Sequence, residues 1–113
     1  MPTPQATTLI DALNGTFGRH SGARASHAKG INVRGTFTPA TDAAEIAIPA
    51  LQRPQPVTAR FSIGGGKPGI SDKSPTVRGM GLGIGTDPDS WRLAMISAPV
   101  FFANSAEQFR AFL

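Results

Sequence analysis

The chain has 113 residues, a usual size for one domain, with 40% hydrophobic and 16% charged residues, which permits a packed core and argues against wholesale disorder. Thirteen glycines and ten prolines favour short strands and many turns over a helical bundle. A net charge of +4 invites a polyanion reading, while the absence of cysteine excludes disulfides, thiolate metal sites and a thiol nucleophile. No apolar run reaches the roughly 20 residues that a membrane helix needs. The opening Met1-Pro-Thr-Pro lacks the basic-then-apolar layout of a secretory signal, so a cytoplasmic location is expected.

Residues 5–14 place Leu9, Ile10 and Leu13 on one side of a short amphipathic helix, with Gly15 as its stop, so residues 1–16 read as an N-terminal helical arm. Residues 18–30 are glycine-rich, irregular and basic, and hold both histidines, His20 and His27. Arg19, Arg24, Lys29 and Arg34 cluster over residues 19–34, separated by Gly, Ala and Ser, not by stacking aromatics. A solvated basic face accounts for that pattern better than a nucleic-acid site. Residues 31–38 alternate, with Ile31, Val33 and Phe37 on one face, and predict a strand. Thr41 is placed to cap one helical turn over 42–46.

Val57 to Ile63 predicts a second strand, followed by a polar loop over 64–76. Met80, Leu82 and Ile84 alternate with glycines in a third, and Asp87-Pro-Asp-Ser90 predicts a turn into a fourth from Trp91 to Ser97. Ser105 then caps a helix that runs to Leu113 with no C-terminal signal, so a longer parent chain is expected.

Several familiar motifs fail. Gly64-Gly-Gly-Lys67-Pro68 puts proline where a phosphate loop needs Ser or Thr, and the glycines of 79–85 lack dinucleotide-binding spacing. Two histidines without cysteine show no zinc spacing, so no metal ligand is assigned, and Ser62 lacks a nucleophile elbow.

Four segments in order carry a resemblance: Arg24-Ala-Ser-His27-Ala-Lys-Gly30, Gly35-Thr-Phe-Thr38, Val57-Thr-Ala-Arg60-Phe61-Ser62, and Arg78-Gly79 with Pro99-Val-Phe-Phe102. In this order and spacing the chain resembles the N-terminal part of the haem catalase superfamily, above all its small members, the catalase-related peroxidases. The resemblance implies an α+β fold: residues 17–113 as the N-terminal portion of an antiparallel β-barrel of catalase-like type, with flanking short helices. It implies haem b as cofactor in the complete protein, and peroxide with a small organic reductant as partners. It implies no nucleic acid and no membrane, with a homo-oligomer or a complementing C-terminal chain among the expected partners.

By motif position, the resemblance implies His27 as the catalytic acid–base group and Ser62 as the serine that orients its ring. It implies Arg24 and Arg60 as partners of haem propionates, and Phe101 and Phe109 as phenylalanines on the distal face. The residues alone also fit plainer roles: a structural histidine, surface arginines paired with carboxylates, and core phenylalanines. Two departures stand out. Ile96 occupies the position of the distal asparagine of large catalases, which implies a larger share of peroxidase activity. The family's axial ligand is a tyrosinate, and this chain has no tyrosine. The readings that compete are a catalase-like protein acting on fatty-acid hydroperoxides and a small basic polyanion-binding module.

Overall fold

The computed structural model describes residues 3–86, 88 and 90–113. The chain begins with helix α1 (Pro4–Phe17), started by Thr3, whose hydroxyl accepts the Ala6 N–H at 3.1 Å, with proline in the first turn. The helix runs through Gly15, contrary to the expected stop. A single glycine costs a helix only about 1 kcal/mol, and the termination falls instead at Gly18, whose φ of 84° side chains disfavour. The Gly18 N–H closes the end on Asn14 O at 2.8 Å.

Four strands follow, β1 (Lys29–Phe37), β2 (Gln55–Ile63), β3 (Arg78–Ile84) and β4 (Trp91–Ile96), then helix α2 (Ala106–Phe112). They form one antiparallel sheet in the order β1-β2-β3-β4. The α+β class therefore holds, but the sheet is open and four-stranded, and the expected barrel is not closed within this chain. Both β1 and β4 are edges. The face expected to carry Ile31 and Val33 exists, but those side chains are 67% and 47% exposed.

The predicted helical turn after residue 41 is a 3-10 turn, Thr41–Glu45, with Ala40 at its cap position and no side-chain cap bond. A second 3-10 turn, Pro49–Leu51, was not legible in the pattern. The predicted turn at 87–90 falls partly on Asp87 and Asp89, which lie outside the described residues. Ser105 caps α2 as expected, its hydroxyl accepting the Gln108 N–H at 3.1 Å.

The chain divides into two compact units. The first comprises Met1–Gly30, Ser62–Gly79 and Ile96–Leu113, in which α1 packs against α2 and Leu13 is buried. The second comprises Ile31–Phe61 and Met80–Met95, with Ala50 and Ile84 as its buried apolar residues. No helix among the described residues is long and apolar enough to cross a membrane.

Candidate functional site

The first unit brings together two residues 35 positions apart in sequence. His27 Nδ1 and Ser62 Oγ lie 2.9 Å apart in a part-buried hydrogen bond. His27 stands in the irregular segment between α1 and β1 with φ at 51°, and it is the non-glycine residue with positive φ among the described residues. Histidine tolerates this left-handed region better than most side chains, and such geometry persists where its surroundings fix it. Here the next residue is tied down: the Ala28 N–H donates to Gly65 O at 3.1 Å. Ser62 is the penultimate residue of β2, where the strand fixes the direction of its side chain.

Lys29 anchors the other side of the histidine segment. Its ammonium donates to Ile70 O at 2.8 Å and pairs with Asp72 Oδ1 at 2.7 Å. The hydrogen bond from Lys29 and then its charge hold the Asp72 carboxyl below its ordinary value, against a small opposing effect of burial and with a further contribution from Arg78. Arg78 organises the same loop from beyond it. One guanidinium nitrogen donates to Thr76 O at 2.5 Å and Thr76 Oγ1 at 3.3 Å, the other to Asp72 O at 2.9 Å and Ser74 O at 2.8 Å. The Arg78 N–H donates to Ser97 Oγ at 2.8 Å, and Ser97 N–H donates back to Arg78 O at 2.9 Å.

The remaining predicted residues divide between the units. Arg24 is exposed in the first unit, with no ion-pair partner among the described residues. Arg60 lies half-buried on β2 in the second. Phe101 and Phe109 lie in the first unit with ring centroids 5.9 Å apart. They belong to a larger aromatic group: Phe102 is 4.7 Å from Phe101 and 5.0 Å from Phe109, and Phe112 is 4.5 Å from Phe102. This group is not a closed core, since Phe101, Phe102 and Phe112 are 52%, 49% and 72% exposed. Aromatic area left open in this way is a ready contact surface for a flat apolar partner. Ile96, at the end of β4, is half-buried.

Sequence reasoning quoted Arg78-Gly79, Lys29 and Phe102 within motifs and gave none of them a site role, and it gave none to Phe112. An open groove of about 320 Å³ in the second unit, lined in part by Ile48, Arg53 and Trp91, contains none of the predicted site residues. The candidate site is thus the His27–Ser62 pair, with no metal-holding cluster among the described residues. A part-buried imidazole with one nitrogen engaged by a hydroxyl is equipped to take and return a proton.

The catalase family model matches residues 5–113. The chain is 36% identical over 104 residues to the catalase-related peroxidase of Synechococcus elongatus, covering 89% of this chain and 31% of that protein. It is 48% identical over 75 residues to the catalase-related peroxidase of Mycolicibacterium paratuberculosis, covering 65% and 24% respectively. The chain therefore spans less than a third of the length of either relative. Among solved structures, one described as the structure of a bacterial catalase matches 99% of this chain and 22% of its own, with a TM-score of 0.69 at 24% identity.

Proposed function

Because the chain belongs to the catalase family, we propose that it carries the distal, proton-handling half of a haem peroxidase site, and that the complete protein decomposes hydrogen or organic peroxides. The observation that carries this reading is the 2.9 Å hydrogen bond between His27 Nδ1 and Ser62 Oγ. With Nδ1 engaged, proton exchange falls to Nε2. For Nε2 to act as a base it must lack a proton, so the proton sits on Nδ1 and is donated to Ser62 Oγ. Nε2 then takes the proton of the peroxide and delivers it to the departing oxygen, which leaves as water from hydrogen peroxide or as an alcohol from an organic peroxide when the O–O bond breaks. Throughout, Nδ1–H keeps its acceptor, so the ring does not turn.

The residues present fit the distal side of a haem and not its axial side. Two guanidinium groups, Arg24 and Arg60, match propionate carboxylates. The exposed Phe101 ring and the half-buried Phe109 ring suit an apolar macrocycle face. The chain has no tyrosine, so in this reading the tyrosinate iron ligand comes from residues outside these 113, in the same polypeptide or a complementing chain. Haem iron, when bound, supplies the redox change that cleaves the peroxide O–O bond.

Ile96 at the distal asparagine position offers peroxide no hydrogen bond, which favours oxidation of a small organic reductant over dismutation. A catalase-like activity on fatty-acid hydroperoxides ranks second. In the complete haem-loaded protein, Ser62→Ala should lower peroxidase turnover by about 2- to 13-fold, the worth of one net hydrogen bond of about 0.5–1.5 kcal/mol. Dye oxidation should exceed oxygen release. Unchanged turnover in Ser62→Ala sinks the assignment of the pair, and vigorous oxygen release with negligible dye oxidation sinks the peroxidase preference.

A further inference from the structure

We propose that Gly79 is a positioning residue for His27: only a residue without a side chain at 79 lets the imidazole meet the Ser62 hydroxyl. The proposal deepens the reading above and rests on it for the role of the His27–Ser62 bond.

A Cβ at position 79 would lie 2.7 Å from Ser62 Oγ, 2.8 Å from His27 Nδ1 and 2.9 Å from His27 Cε1. The first two are the bonded atoms themselves. Separations below 3.0 Å essentially never occur for a real Cβ, so something must move. The backbone of residue 79 is poorly placed to do so. Its neighbour Arg78 is bonded through both N–H and C=O to Ser97, and the Arg78 guanidinium grips three loop carbonyls. The loop closes a ring back to the histidine: Gly64 N–H donates to Val77 O at 2.8 Å, and Ala28 N–H donates to Gly65 O. Lys29 ties the histidine segment to Ile70 and Asp72 in the same loop.

With both backbones held, the displacement falls on the two obstructing side chains, the Ser62 hydroxyl and the His27 imidazole. Either movement breaks the Nδ1–Oγ bond. The ring then loses the acceptor that favours its Nδ1–H form, and the balance shifts toward the Nε2–H form. Nε2 would carry its own proton and cease to be a base.

The chain contains two histidines, and they make a self-referenced experiment. His20 Nε2 lies 3.1 Å from Phe17 O, a carbonyl that can only accept, so neutral His20 holds the Nε2–H tautomer. Long-range proton–nitrogen NMR on the 15N-histidine-labelled chain distinguishes the two forms. Neutral His27 is expected as Nδ1–H in the parent, and in Gly79→Ala it should shift to predominantly Nε2–H, as it should in Ser62→Ala, with His20 unchanged. Gly81→Ala changes a glycine on the same strand where an added Cβ meets nothing within 4 Å, and it should leave both histidines as they are.

If Ser62→Ala moves the tautomer and Gly79→Ala does not, the proposal falls while the reading of the His27–Ser62 pair stands. If neither moves it, both fall. Should Gly79→Ala fail to fold, adding Ser62→Ala removes the closest obstructing atom and should restore a dispersed spectrum. A double variant that stays unfolded overturns the proposal.

Discussion

Replacing Arg78 by lysine keeps the charge and removes the fork, which makes it a direct measure of what the guanidinium does. Its two terminal nitrogens serve three backbone carbonyls, Thr76 O on one side and Asp72 O and Ser74 O on the other. A lysine ammonium is a single atom on a flexible stem and cannot reach carbonyls presented to two separate nitrogens. Retaining one of the three bonds and losing two, at about 0.5–1.5 kcal/mol each, predicts a loss of roughly 1–3 kcal/mol. Two of the three bonds are exposed and the one to Ser74 O is part-buried, so water replaces part of what is lost and the lower half of that range is expected. With a urea slope of about 2 kcal/mol per molar, the unfolding midpoint should fall by roughly 0.5–1 M. Urea titration followed by far-ultraviolet circular dichroism reads this directly. A midpoint within about 0.1 M of the parent would refute the reasoning, because it would mean that Arg78 acts only through its charge.

Leu13→Ala removes the buried apolar side chain of α1 and should cost about 2–5 kcal/mol in the same titration. Thr3→Ala removes the hydroxyl that accepts Ala6 N–H and should cost about 1 kcal/mol, with fraying visible as faster amide exchange at residues 5–7. The Asp72 pKa is lowered in the folded chain, so its contribution is fully present above the ordinary value of 3.8 and is lost as pH falls through the lower folded value. Urea midpoints for the parent should therefore drop more steeply below that pH than those for Asp72→Asn. Added salt should shrink the difference, and parallel curves would contradict the assignment.

What could be read from the residues was mostly what side chains announce. Ser105 ahead of an apolar-periodic run marked the start of α2, and alternation found all four strands to within two residues at their ends. His27 and Ser62 were paired through motif order alone, and the structure places them in hydrogen-bond contact. Thr41 misled because a cap-forming residue type does not by itself make a cap: the 3-10 turn begins at Thr41 and takes Ala40 as its cap position. Gly15 misled for a related reason, since one glycine inside a helix is a tolerable cost while the left-handed Gly18 is a geometric stop. Gly79 was illegible as a functional position because its contribution is space, and an absent atom leaves no periodicity, charge or polarity in a sequence. Arg78 was legible only as a motif residue without a role, and only the fold reveals that its guanidinium serves loop carbonyls.

The left-handed backbone at His27 determines how its chemistry should be tested by substitution. Alanine, the customary replacement, removes the imidazole together with the Ser62 bond that helps hold a backbone conformation costing a Cβ-bearing residue roughly 1–2 kcal/mol. Lost activity in His27→Ala would therefore mix a missing base with a displaced loop. Asparagine accepts the same φ readily and has no group that titrates near neutrality. His27→Asn isolates the proton transfer, and the gap between the asparagine and alanine variants measures how much of the site is built from the path of the main chain.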